Sequence, residues 1–327
     1  MNIFDYDVSR EDAKIIMIPV PWEATTSYGA GTAYGPELIL KASAQQDLFD
    51  LDFKNNYQAG YFMQEIPKDL LEKSHKARVL AEKAREGDKK ALDECNTMCA
   101  EMVDHVYTQT KQILKEKKIP VVVGGDHSTP QGAIRAISES VNGNFGILHI
   151  DAHADLRNAY QGFTYSHASI FYNVMEATWA PKKLVQVAIR DFCEEEYEYI
   201  QSKEGKIKTF FDPNLKAATY QGKGWDKVCE DIVNELPQNV YVSVDIDGLD
   251  PALCPNTGTP VAGGLDISQF KFLLKTLAIK GKKVIAFDLN EVSTGSDYNL
   301  ENEWDGNCGM RILFQLCGWC IESQKQK

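Results

Sequence analysis

Phe145-Gly146-Ile147-Leu148-His149-Ile150-Asp151-Ala152-His153-Ala154-Asp155 decides how this chain is read. Its first six residues form an apolar run that reads as a buried strand. Where that strand runs out, three potential metal ligands fall within five residues: Asp151, His153 and Asp155. In open α/β sheets, ligands collect just outside the carboxyl ends of strands. Two carboxylates and an imidazole this close are poorly matched unless a cation joins them. A hydrogen-bonded Asp turn explains one such stretch about as well, but two further strand ends carry the same pattern.

One is Val121-Val122-Val123-Gly124-Gly125-Asp126-His127-Ser128, in which two glycines allow a tight turn and deliver His127. The other is Val242-Ser243-Val244-Asp245-Ile246-Asp247-Gly248-Leu249-Asp250-Pro251. Alternate residues of an extended segment face one way, so Asp245 and Asp247 can share a site, as can Asp151 and His153. The sum is His127 and His153 with Asp151, Asp155, Asp245 and Asp247. One divalent ion does not need four carboxylates, whereas two ions roughly 3.5–4 Å apart do. No cysteine lies in these motifs. Hard oxygen donors with some imidazole suit Mn²⁺, with Fe²⁺, Co²⁺, Ni²⁺ or Zn²⁺ as alternatives.

Outward from these motifs, strands alternate with helices from residue 119 on. Strands are expected at 121–123, 145–150, 184–189, 207–211, 240–244 and 283–289. Helices are expected at about 130–140, 166–177, 194–203, 225–236, 267–280 and 308–320. That alternation argues for a parallel sheet with helices on both faces. An opening strand is expected at 14–20. A Gly-, Thr- and Tyr-rich loop follows it, and Pro36 then opens a helix. Residues 67–118 read as two or more helices broken near Glu86-Gly87-Asp88. Their first part, at about 64–100, carries a thin apolar stripe and is expected to be a partly exposed helical insertion without chemistry. The whole of 1–327 is expected to be one domain.

The composition, 43% hydrophobic and 25% charged, is that of an ordinary globular chain. A net charge of −12 argues against a nucleic-acid partner, which needs a basic face, and is compatible with a cationic one. No apolar run reaches the length of a membrane span, and Met1-Asn2-Ile3-Phe4-Asp5 lacks the pattern of a secretory signal. Eight scattered cysteines read as reduced thiols, so a cytoplasmic setting is expected. Cys317 and Cys320 have CxxC spacing but no second pair, and read as core packing.

These motifs resemble the ureohydrolase family, which includes arginase, agmatinase and related guanidino-group hydrolases. Gly-Gly-Asp-His, Asp-Ala-His-x-Asp and Ser-Val-Asp-Ile-Asp-Gly-Leu-Asp-Pro occur in family order, and Gly258-Thr259-Pro260-Val261-Ala262-Gly263-Gly264-Leu265 continues the match. The resemblance runs from about Ile15 to Gly318 and is weakest near 67–98. It implies a three-layer arginase/deacetylase-type α/β fold with a central, mostly parallel sheet. It also implies two Mn²⁺ per chain. By match, His127, Asp151, Asp155 and Asp245 would hold one ion; Asp151, His153, Asp245 and Asp247 would hold the other. The implied reaction is attack of hydroxide on a guanidino carbon, since a water between two divalent ions ionises near neutrality. Asp155 would take and pass on a proton. His167 matches the family's proton-shuttle histidine, and Glu291 the carboxylate that pairs with the substrate guanidinium. A homo-oligomer, trimer or hexamer, is implied by resemblance alone. His149 could face the site, although a satisfied core histidine explains it as well; His75 and His105 read as surface or packing residues.

The substrate is expected to be a small cationic guanidino compound. Asp155-Leu156-Arg157, the Tyr160-Gln161-Gly162 step, Ser166-His167 and Ala188-Ile189-Arg190 resemble agmatinase loops, and Cys193 stands where arginases commonly have an Asp. Gly258-Thr259-Pro260-Val261 is closer to arginase, and Arg157 could receive a carboxylate. Agmatine, giving putrescine and urea, is therefore favoured over arginine. Guanidinobutyrate or another ω-guanidino acid comes next, and formimidoylglutamate after that. A member of the same fold that binds without catalysing is the reading from another class.

Overall fold

The computed structural model describes residues 2–325. Eight strands form one sheet: β1 (Ile15–Val20), β2 (Tyr61–Met63), β3 (Ile119–Gly124), β4 (Gly146–Ile150), β5 (Lys183–Ile189), β6 (Ile207–Phe211), β7 (Asn239–Asp245) and β8 (Lys283–Asn290). Their order is β2-β1-β3-β8-β7-β4-β5-β6, and every neighbouring pair is parallel. Ten helices complete the fold: α1 (Gly35–Ser43), α2 (Lys68–Arg85), α3 (Lys89–Lys115), α4 (Gln131–Val141), α5 (Ile170–Glu176), α6 (Glu194–Ser202), α7 (Asp212–Tyr220), α8 (Trp225–Asn234), α9 (Ile267–Ile279) and α10 (Glu303–Ser323).

The strands read as nearly unbroken apolar runs because both faces of the sheet are covered. Alternate residues divide between two cores. Met17, Val121, Leu148, Val242 and Phe287 pack with α1, α8, α9 and α10. Ile16, Ile18 and Val122 face the other way, onto α2 and α3. Ile147, Tyr241 and Ala286 continue that second face under α4 and α5. The layers are therefore helix, parallel sheet, helix.

The helix pair at 68–115 packs on the sheet through a narrow face. Its thin stripe is a packing face: Leu70, Ala77 and Ala81 are buried on α2, and Cys95, Met98, Met102 and Val106 on α3. Together they cover β1 and β3. The break falls where expected. Gly87 takes φ +103°, and the Asp88 carboxylate caps α3 by accepting from the backbone N–H groups of Lys90 and Ala91.

β2 and α7 add to the expected elements, and α10 begins at Glu303 instead of about 308. All eight cysteines are free thiols; Cys317 and Cys320 are buried in α10, as their packing role requires.

Strand order positions the site. The chain leaves β3 for β4, yet β8 and β7 lie between them. β3, β8, β7 and β4 are thus consecutive, and their carboxyl ends carry His127, Glu291, Asp245 and Asp151 in that order. Neighbouring strands lie about 4.8 Å apart, which brings four separate stretches of sequence within reach of one cluster. The reversal of strand order opens the crevice where such sheets bind ligands.

The turn that delivers His127 admits no side chain at Gly125. A Cβ there would lie 1.8 Å from the Trp22 carbonyl oxygen. Asp126 N–H donates to that same oxygen at 2.8 Å. Gly125→Ala is expected to lower stability by about 1–3 kcal/mol, the usual cost of overpacking. A thermal unfolding midpoint equal to wild type would show that the β3 turn yields freely.

Candidate metal centre

His127 is fully buried, and its Nδ1 faces three carboxylate oxygens: Asp151 Oδ2 at 3.0 Å, Asp155 Oδ2 at 3.2 Å and Asp245 Oδ2 at 3.4 Å. A second group lies beside it. His153 Nδ1 stands 3.1 Å from Asp247 Oδ2 and 3.5 Å from Asp151 Oδ1. Ligand atoms about 2.1 Å from a divalent cation lie roughly 3–3.4 Å from one another. All six expected ligand residues are therefore brought together, with donor spacings that suit two cations. Every donor is oxygen or imidazole nitrogen, and Asp151 belongs to both groups.

The electrostatics point the same way. Burial alone would depress His127, yet Asp151, Asp155 and Asp245 raise it well above the usual imidazole range. Burial works against the Asp151 anion, but His149, His127 and His153 hold its carboxyl well below normal. Burial and then Asp151 push Asp155 up to about 7. Burial, Asp247 and Asp151 raise Asp245 well above its ordinary value. Crowded carboxylates with too few positive partners are what divalent cations neutralise.

A second ring of residues, not evident from the sequence motifs, fixes the cluster. His127 Nε2 lies 3.0 Å from Ser243 Oγ, and the Ser243 hydroxyl donates to Asp288 Oδ1 at 2.9 Å. That leaves Ser243 to accept the imidazole N–H, so Nδ1 is the nitrogen free for a cation. Asp288 is itself held by the Val244 N–H and the Asn290 side-chain amide. The only signal for it in the sequence is a charged residue inside the apolar strand β8.

His149 does face the cluster. Its Nε2 lies 2.8 Å from Asp151 Oδ2, while Gln186 Nε2 donates to its Nδ1 at 3.1 Å. Burial lowers its pKa, so it is a neutral donor that orients Asp151. His75 and His105 are exposed, on α2 and α3.

The cluster opens into a cavity of about 140 Å³, which also receives His167, Glu291, Thr259 and Glu196. Glu291 is buried and takes φ +62°, a strained conformation for a non-glycine residue. The Gly125 carbonyl accepts its N–H at 2.8 Å, and its own Oε1 accepts the His127 N–H at 3.1 Å. Its Oε2 is buried and has no partner. Burial, then Asp245 and Asp126, raise its carboxyl well above normal.

His167 opens the 3-10 turn before α5; its Nδ1 lies 3.3 Å from Thr25 Oγ1, and its backbone N–H donates to the same oxygen at 3.2 Å. Burial, aided by His153 and Arg85, lowers its pKa to about 3. It is a neutral imidazole beside the cluster.

Arg157, at the more exposed side of the cavity, is already engaged. Its Nε lies 3.4 Å from Glu196 Oε2, and its guanidinium sits 4.8 Å above the Tyr160 ring. Arg190 is not part of the cavity. It ties loops together by donating to the carbonyls of Asp247 at 2.6 Å, Val261 at 2.8 Å and Ala188 at 3.0 Å.

The arginase family model matches residues 13–311 of this chain. N(1)-aminopropylagmatine ureohydrolase of Synechocystis sp. is 28% identical over 330 residues, covering 98% of this chain and 93% of that protein. The protein of the same name from Thermus thermophilus is 30% identical over 295 residues, covering 90% and 88%. Among solved structures, agmatine ureohydrolase of Thermoplasma volcanium superposes with a TM-score of 0.75 at 24% identity, over 99% of this chain and 95% of that one. No helix among the described residues is long and apolar enough to cross a membrane.

Proposed function

The chain belongs to the arginase family, a hydrolase acting on guanidino compounds, and from that premise we propose that it releases urea from an ω-guanidino amine, with agmatine yielding putrescine. The observation that carries this reading is one cavity lined both by His127, His153, Asp155 and Asp245 of the donor cluster and by Glu291, whose buried Oε2 is unpartnered.

His127, Asp151, Asp155 and Asp245 would hold one divalent cation; Asp151, His153, Asp245 and Asp247 would hold the second. Mn²⁺ is the ion we favour, since the donor set is carboxylate oxygen and imidazole nitrogen. Bound there, the pair would ionise a water near neutral pH and so supply the nucleophile. The chain's own residues do the rest. Glu291 accepts the planar guanidinium through Oε2 and fixes its carbon over the cluster; a buried, charge-assisted contact of this kind is both strong and directional. Ser243 and Asp288 keep the His127 ring in one tautomer. Asp155 can take up a proton at its carboxylate and pass it toward the leaving amine. His167, with Nδ1 at Thr25, has Nε2 free to carry that proton onward.

Amine substrates are favoured over amino acids by the charge of the cavity. Apart from the cation ligands and Glu291, the acidic residues lining it are Asp191 and Glu196, and the one arginine in the lining is paired with Glu196 and stacked on Tyr160. An α-carboxylate would find no free cation there, whereas an ammonium would find Asp191. The names of the Synechocystis and Thermus relatives make an aminopropyl-extended agmatine the second substrate to try. A homo-oligomer and a cytoplasmic setting remain part of the proposal, on resemblance and composition.

The deciding experiment measures, with added Mn²⁺, urea release from agmatine, N(1)-aminopropylagmatine, arginine and guanidinobutyrate, and formamide release from formimidoylglutamate. We expect the two amines to lead, with kcat/KM at least tenfold above arginine, since an unmatched carboxylate costs on the order of 1.4 kcal/mol or more. Arginine ahead of both amines would reverse the substrate assignment. Neither urea nor formamide from any of them would leave the binding protein as the better reading.

A further inference from the structure

α2 and α3 stand outside the metal centre, yet both reach loops that border it. Ser74, Arg78 and Arg85 fall along one stripe of α2. Ser74 Oγ accepts the Glu23 N–H at 2.9 Å. Arg78 Nη1 donates to the Glu23 carbonyl at 3.2 Å and also to the Thr26 hydroxyl. Arg85 Nη2 donates to the carbonyls of Thr25 at 3.0 Å and Thr26 at 3.2 Å.

The other edge of Arg85 grips a second loop. Its Nε donates to Gln161 Oε1 at 2.7 Å, and its guanidinium carbon lies 5.5 Å from the Phe163 ring centroid. Asn96 of α3 holds the same loop from its far side. Its amide donates to the Gly162 carbonyl at 3.0 Å and accepts the Thr164 N–H at 2.9 Å. Ala159 and Gln161 take φ +45° and +55°. Non-glycine residues stay in that region only where their surroundings over-determine them.

The two loops meet at His167, whose N–H and Nδ1 both address Thr25 Oγ1. We propose that Arg85 and Asn96 are positioning residues for His167: they lock loop 159–164 against loop 23–26, so that Thr25 engages Nδ1 and leaves Nε2 to the cavity. The catalytic part of this rests on His167 as the proton carrier proposed above.

The test compares Arg85→Met, Asn96→Ala, Thr25→Ala and Thr25→Ser in the Mn²⁺-loaded full chain, with agmatine as the probe substrate. Arg85→Met is expected to lower kcat by about tenfold to a hundredfold, the usual cost of misplacing a reacting group by ~1 Å, with KM and metal content unchanged. Asn96→Ala, on the less buried side of the loop, moves kcat in the same direction if Arg85→Met proves hard to fold. Thr25→Ser, which keeps the hydroxyl, retains most of the turnover that Thr25→Ala loses. In a His167→Ala background Arg85→Met has no further effect. Wild-type kcat in both Arg85→Met and Asn96→Ala, or losses that multiply with that of His167→Ala, overturn the proposal.

Nitrogen NMR of the histidine rings in the metal-free chain separates this inference from the role of His167. A His167 ring signal unchanged in Arg85→Met overturns the positioning role, whatever turnover does. A shifted ring signal together with full turnover in His167→Ala keeps the positioning role and removes the proton-carrier reading instead.

Discussion

Asp245→Asn is expected to reduce kcat/KM by roughly 10³-fold or more, together with loss of bound metal. Even residues that only orient a ligand cost 10–100-fold when removed, and a ligand shared by two ions should cost more. The substitution is nearly isosteric, which makes it discriminating. Asp245 Oδ1 accepts the Asp247 N–H at 2.9 Å and so caps the 3-10 turn that follows β7. An asparagine carbonyl can accept the same bond, so the backbone is spared while the charge beside His127 Nδ1 is removed. After chelation, the variant should be at least as stable as wild type, because burial with Asp247 and Asp151 makes the wild-type carboxylate unfavourable there. Metal analysis, turnover and thermal unfolding with and without Mn²⁺ read the three parts. Wild-type turnover in Asp245→Asn would refute the placement of the ions.

Glu291→Gln is expected to lower kcat/KM by roughly 10²–10³-fold with metal content intact. Breaking a buried charge pair by neutralising one partner costs on the order of 3–5 kcal/mol, and each 1.4 kcal/mol is a factor of ten. The glutamine can still accept the His127 N–H in place of Oε1, so the His127 turn should hold. Only the free Oε2 changes character, from an anion that meets a guanidinium to an amide. The loss should be smaller for any substrate whose reacting group carries less positive charge. Urea release and metal content, measured on one preparation, check this; a drop in metal matching the drop in turnover would make Glu291 a prop for His127 and not a substrate contact.

The sequence made the His/Asp cluster legible because its residues come as short motifs in phase with strand ends. His127, Asp151, Asp155, Asp245 and Asp247 each follow an apolar run, and the strand boundaries differ from expectation by a few residues at most. What lay hidden was anything set by contact across strands. Ser243 and Asp288 are adjacent only because β7 and β8 pair in the register that puts them side by side. Thr25 sits in a loop whose polar residues all look alike until His167 is seen against it. β2 is three residues long, too short for alternation to register, and α7 buries little beyond Asp212 and Leu215. The apolar stripe of α2 is faint because that helix packs through small residues, Ala77 and Ala81.

The interleaved order of the central strands also bears on how the molecule is made. A ribosome delivers β3 and β4 about a hundred residues before β7 and β8, which must then slide in between them. Until they do, His127 and Asp151 sit on strands with no common neighbour, and the growing chain carries four of the six cluster residues without Asp245 and Asp247. A complete six-residue cluster therefore exists only once β7 and β8 are in place, and an ion that needs all six donors would bind late in assembly.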